Sequence, residues 1–292
     1  MRIMDLNGLI YNRLAADAEL TALLATFAGS PAVFADEAPA DQDEGWQGKV
    51  QYPRICYRID IKTDSERKTS GEMHIAIHTT KENLAIEQIE YAVRRSLKDV
   101  IMKPSNQAPF CVSWAKSDAF ILEGMGIIGK DISFDILEYP SQETTDPDPV
   151  IAMALMVKGM FPEAVVLNID RIGDYTDPAE KPVFYVKLQN LTKTRGHCEH
   201  SIAWFLAKMS LHILFPVQED RLKMSAAVNQ KLRIVEEIIM LDQSPMTVEQ
   251  LTMNNMADYL REGQITMTGK YGCLRRGNVL KSVTGIELQP DW

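Results

Sequence analysis

The sequence has few cysteines, and none is paired at metal or redox spacing. Cys56, Cys111, Cys198 and Cys273 lie far apart, which excludes a zinc ribbon and a thioredoxin-type motif. The scatter reads as free thiols in a reducing compartment, mostly serving as small buried apolar residues. Long apolar runs are also missing. The longest covers residues 150–161 and is broken by Lys158 and Gly159, well short of the ~20 residues of a membrane span. At the start, Asp5 and Asn7 interrupt any signal-peptide apolar region. The expectation is a protein made in the cytoplasm, with no membrane partner.

Basic residues are scarce in one half only. Residues 1–149 hold 15 Lys and Arg against 24 Asp and Glu, a net charge of -9, whereas residues 150–292 hold 16 of each. A phosphate-gripping surface needs cations, so the first half does not read as a nucleic-acid binder. It reads as a solubilising surface, or as one that DNA passes without sticking. Catalytic signatures are absent too. There is no Gly-x-Ser-x-Gly elbow and no His-Glu-x-x-His pair. Gly124-Met125-Gly126-Ile127-Ile128-Gly129 matches G-x-G-x-x-G in form. It precedes an alternating stretch, Lys130 to Ile136, rather than a helix, so it reads as a turn between strands. His197-Cys198-Glu199-His200 is the one dense group of metal-ligand types. It has no second cluster to complete a site, and it reads as a polar loop. No catalytic residue, cofactor site or metal site is assigned. A metal-dependent enzyme using residues 197–200 remains the alternative from another class.

What is present is a soluble globular composition, 46% hydrophobic and 24% charged. It carries a linker and a repeated pattern. Pro140, Pro147 and Pro149 stand among small polar residues, and Asp148-Pro149 reads as a helix cap followed by proline at the first helical position. Domains are therefore expected at 1–143 and 150–292, joined by 144–149.

Each half shows the same order of elements. In the first, Leu6, Leu9, Ile10 and Leu14 have helical spacing, with Asp17 capping a continuation through Leu20, Leu23, Leu24 and Phe27. Strands follow at 33–35, 52–60 and 71–78, then a helix carrying Ile86, Ile89, Val93, Leu97 and Val100, then strands near 110–114 and 132–137. In the second, a helix at 150–160 precedes strands at 165–167, 181–189 and 209–215. A helix with Leu222, Leu232, Val235 and Ile239 follows, then strands at 246–253 and 265–271. Pro53 matches Pro182 and Met73 matches Met209, with offsets of 129 and 136. The expected fold class is α+β, two tandem units of mainly antiparallel sheet with helices packed on it.

Two loops occupy equivalent places, residues 61–70 and 191–199, and both carry cations. Lys62, Arg67, Lys68, Lys193 and Arg195 are the candidate contacts to a neighbouring subunit. His74, His78 and His212 lie on strand patterns and are expected to face solvent or a partner. Met240, Met246, Met253, Met256 and Met267 are expected as core filler.

Ile10-Tyr11-Asn12-Arg13-Leu14, Val33-Phe34-Ala35-Asp36, Tyr52-Pro53-Arg54-Ile55 and Phe134-Asp135-Ile136-Leu137-Glu138-Tyr139 resemble the bacteriophage tail-terminator, or tail-completion, family. In the second half, residues 181–188 and 211–216 are similar to a related terminator group. The resemblance implies a structural virion protein, not an enzyme, that forms a homo-oligomeric ring, usually a hexamer, on the head-proximal end of a tail; with two units per chain, six chains could make two layers or three chains could supply six units. The implied partners are the tail-tube protein, a neck or head-completion protein, and the sheath protein where the tail contracts. DNA would pass through without specific binding, and no cofactor is implied. A neck or head-tail connector protein is the alternative in the same class.

Overall fold

Three helices start at an aspartate cap, at Asp5, Asp17 and Asp148. In the computed structural model, which describes residues 5–46, 48, 50–62, 70–83, 85–122, 124, 126–142 and 144–275, the Asp5 carboxylate accepts from Gly8 N at 2.8 Å and opens α1 (Leu6–Ala16). Asp17 caps α2 (Ala18–Thr21) through Glu19 N and Leu20 N, both at 3.0 Å. The second helix lasts one turn, not the longer continuation expected through Phe27. The chain turns into a small hairpin, β1 (Thr26–Phe27) and β2 (Ser30–Pro31), where Phe27, Phe34 and Trp46 pack edge to face.

The first large sheet then assembles from β3 (Val33–Ala35), β4 (Arg54–Ile61) and β5 (Gly71–Thr80). After α3 (Ile86–Leu97), it continues with β6 (Ile101–Met102), β7 (Phe110–Leu122) and β8 (Ile127–Glu138). Period-two alternation sends Met73, Ile75 and Ile77 to one face, where they meet Leu9, Ile10 and Leu14 of α1 and Ile89, Val93 and Leu97 of α3. The helix dedicates its buried stripe to this face, and Arg13 Nε donates to Ser96 O at 2.9 Å across α1 and α3.

The second half opens as its spacing predicts. Asp148 accepts from Val150 N at 2.8 Å and Ile151 N at 3.2 Å, with Pro149 the first residue of α4 (Pro149–Met160). Then come β9 (Val165–Val166), β10 (Tyr175–Thr176), β11 (Val183–Thr194), β12 (Ile202–Leu214), α5 (Gln218–Val235), β13 (Glu237–Ile239), β14 (Pro245–Met253) and β15 (Ile265–Leu274). Phe184, Met209, Leu211, Ile265 and Met267 pack against Val150, Met153 and Val157 of α4 and Val228 and Leu232 of α5. Ile239, expected on this helix, lies on β13 after Glu236 takes a left-handed φ of 54° and ends α5.

The fold is mixed α+β with sheet dominating. The strand orders are β10-β6-β7-β8-β5-β4-β3 and β13-β14-β15-β12-β11-β9. In each, the short outer strand (β3 or β9) runs parallel to its neighbour and the other pairings are antiparallel.

Strand β10 crosses between the halves. It comes from the second half yet pairs with β6 of the first, and Tyr175 Oη donates to Leu9 O at 2.7 Å. A further buried cluster joins Ile101, Cys111, Leu137 and Tyr139 to Leu167, Val183, Tyr185, Leu214 and Leu260. There the Tyr139 and Tyr185 rings meet edge to face at 5.3 Å, Tyr139 Oη donates to Leu260 O at 3.2 Å, and Arg261 bridges to Asp135 at 2.6 Å.

Candidate assembly surfaces

With helices on one face of each sheet, alternation places a second set of side chains on the other. On the first sheet these are Arg58 and Asp60 of β4, Glu72, His74 and His78 of β5, Asp131, Ser133 and Asp135 of β8, and Lys116 and Asp118 of β7. His74 Nδ1 lies 3.3 Å from both Asp131 Oδ2 and Ser133 Oγ. Asp118 stands directly opposite Asp131, a like-charged cross-strand pair that opposes itself. Lys116 relieves it in part, at 2.7 Å from Asp118. His78 is half-buried against Phe120, and burial, with the Arg54 charge, pushes its pKa down.

The second sheet's outward face has the opposite character. Lys187, Lys208 and Lys270 stand among Asn190, Thr192, Thr266 and Thr268. Lys187 and Lys208 are exposed, and Lys270 lies over the Trp204 ring at 5.5 Å. None of the three lysines forms a salt bridge among the described residues. His212 departs from the expected partner-facing role. It is 4% exposed, tilted against Tyr185, and its pKa is pushed down to about 4, by burial first and the Lys187 charge second.

The described candidate contacts, Lys62, Lys193 and Arg195, lie by two different sheets. Lys62 follows β4 and forms an ion pair with Glu72. Arg67 and Lys68 lie outside the described residues. Lys193 belongs to β11, opposite Phe205, so part of the expected loop at 191–199 is strand; Arg195 follows the strand and is exposed. His197, Cys198, Glu199 and His200 form the tip of this arm. Glu199 Oε1 accepts from Gly196 N at 3.2 Å, and Trp204 Nε1 donates to His197 O at 2.8 Å. Among the described residues, no group of three or more His, Cys, Asp or Glu side chains is arranged to hold a metal ion. Cys198 is exposed and Cys111 fully buried, with Cys56 and Cys273 between them. Met256 is 86% exposed, whereas Met240, Met246 and Met267 are buried.

The three motif glycines have structural reasons. Gly124 and Gly126 take φ of 85° and 65° in the β7–β8 turn. Gly129 lies on β8, where an added Cβ would meet Ile77 O at 2.5 Å and overlap the Phe120 ring.

No protein-family model matches this chain, and no curated protein matches it. Among solved structures it is similar to a chain of a structure described as the virion of a native gene transfer agent particle. That match has a TM-score of 0.34 and 21% identity, covering 45% of this chain and 92% of the other.

One surface escaped the sequence reading. Tyr91, Arg94 and Lys98 of α3 and its end, Trp114 of β7, and Asp177 and Tyr259 from the second half line a groove of about 760 Å³. The Arg94 guanidinium lies 4.0 Å from the centre of the Trp114 ring, and Tyr259 Oη donates to Asp99 at 2.6 Å. Trp114 reads as one more apolar strand residue in the sequence. Its 44% exposure follows from its place on an edge, which only strand order decides. Among the described residues, no helix is long and apolar enough to cross a membrane.

Proposed function

We propose that this chain is a structural protein of a phage-type particle, a tail terminator. It forms a homo-oligomeric ring on the head-proximal end of the tail tube, six chains around, and offers a face to the neck. Where the tail contracts it also meets the sheath. Two terminator-like units, residues 1–143 and 150–292, joined at 144–149, make up each subunit. The proposal is supported chiefly by one observation. Each large sheet is covered by helices on one face and keeps broad polar surface on the other, acid-rich in the first and lysine-bearing in the second. Such faces suit contacts between subunits better than chemistry on a small substrate, which calls for convergent groups in a cleft. The acidic half would face the channel, where DNA passes without adhering; Lys62, Arg67, Lys68, Lys193 and Arg195 would reach neighbouring subunits or the tube.

The test is imaging of the purified protein, alone and mixed with tail tubes. Closed rings and capped tube ends are expected. A protein that stays monomeric at high concentration and never decorates tubes would sink the reading. Density found only inside a neck assembly would favour the connector.

A further inference from the structure

Among the described residues, some strand edges are closed off and others are left open. The outer edge of β11 shows how closure is achieved. Strand β9 covers Val183 and Phe184. Asn168 then takes the place of a strand, its Oδ1 accepting from Val186 N at 2.8 Å and its Nδ2 donating to Val186 O at 2.9 Å. Gln142 does the same for Leu188, at 2.6 Å and 3.4 Å. On β14, Arg233 donates to Leu251 O at 3.3 Å. Beyond these caps, residues 190–194 of β11 have no outer strand among the described residues. Residues 58–61 of β4 are similarly open, but Arg58 and Asp60 lie 3.5 Å apart and offset each other.

Among the described residues, the longest open edge is on β7. After the contacts of Phe110 with β6 and Val112 with Lys98, residues 114–122 pair only inward, with β8. Ile121 is 63% exposed, and Trp114 and Leu122 are open to solvent as well. An uncapped edge of this length, with Trp114, Ile121 and Leu122 at its ends and the Lys116–Asp118 pair between them, is a template for another strand.

We propose that the β7 edge of one copy pairs with the open β11 arm of the next copy, residues 190–194, extending the first sheet across the subunit boundary. The inference rests on the ring reading and names its contact. Charge selects the β11 arm. Lys193 and Arg195 are exposed and two residues apart, so an extended arm presents both on one side. Neither has a salt-bridge partner among the described residues. Next to the β7 edge, Asp118 and Asp131 face each other across the β7–β8 pair, with Lys116 at Asp118 and the His74 ring at Asp131 as the basic groups beside them among the described residues. The arm supplies the missing positive charge. The two edges differ, so the contact is heterologous, the kind that closes into rings.

The test is a charge swap read by sedimentation and mass photometry on the full chain. One variant carries Asp118→Lys and Asp131→Lys; a second carries Lys193→Glu and Arg195→Glu; a third carries all four. Circular dichroism melts establish that each is folded. Each double variant alone should self-associate at least about tenfold more weakly, a loss of one decade in affinity. Both the fourfold variant and an equimolar mixture of the two doubles should recover ring assembly, since each places unlike charges across every boundary. Rings that form in the doubles as in the parent overturn the edge pairing and leave the ring reading standing. So does failure of both recoveries in folded protein. A parent chain that never assembles overturns both.

Discussion

His212 sits on a strand whose alternation gives no hint of its surroundings. Its Nε2 lies 3.3 Å from Ser210 Oγ, and its Nδ1 has no partner among the described residues. Burial against Tyr185 favours the neutral ring. Its folded pKa of about 4 lies below the ordinary 6.5, so between those values the unfolded chain binds a proton that the folded chain does not. Stability therefore rises with pH across that window and falls as pH drops through it, by roughly 2–3 kcal/mol if the full shift is expressed. Urea denaturation at pH 4.5 and pH 7 should show this difference shrink in His212→Phe relative to the parent. Gly129 makes a second residue-scale case. Ile77 O is backbone and cannot swing away, so Gly129→Ala should lower stability by about 1–3 kcal/mol in the same assay. Gly124→Ala meets no atom within 4 Å; its cost comes from its φ of 85° alone.

At the scale of elements, the long pieces were legible because local rules act within them. Met73, Ile75 and Ile77 alternate, Asp148 and Pro149 announce a helix, and Pro53 and Pro182 precede strands. Strands β6, β10 and β13 were not legible. Two or three residues carry no period, and each is a strand only because a neighbour supplies its hydrogen bonds. The same holds for the side-chain caps. Nothing local distinguishes Asn168 or Gln142 from any loop amide, and their role depends on β11 passing beside them. Asn168→Ala or Gln142→Ala should each cost about 1–3 kcal/mol, because a half-buried N–H and C=O lose their partners. Hydrogen exchange should rise at Val186 for the first and at Leu188 for the second. Unchanged protection at those amides would show that water substitutes fully for the side chain.

At the scale of the molecule, the polar stretch at 144–149 reads as a linker between two domains, and the structure adds ties across it. Strand β10 extends the first sheet, and Tyr185 of the second half is 2% exposed against Tyr139 of the first, with its hydroxyl donating to Pro140 O at 2.8 Å. These contacts couple the halves, so calorimetry should record one unfolding transition. Tyr185→Ala removes a ring from the shared cluster and should cost about 3–5 kcal/mol. It should also split or broaden that transition; a sharp single transition at lower temperature would mean that the halves are coupled mainly through β10. The pH dependence adds to this picture, since His212 lies against the same tyrosine.

The sequence by itself determined the α+β class, the main strands and helices, the cap at Asp148, and the concentration of acid in the first half. Each depends on residues close together in the chain or on simple counts. Only the tertiary structure decided which strands become edges, which edges receive caps, and that β10 would join the other half's sheet. A strand's neighbours come from distant segments, and hydrogen bonds between them have no period in the sequence. The candidate contacts Lys193 and Arg195 illustrate both. Their charge is plain in the sequence, but their place on an uncapped arm is a property of strand order.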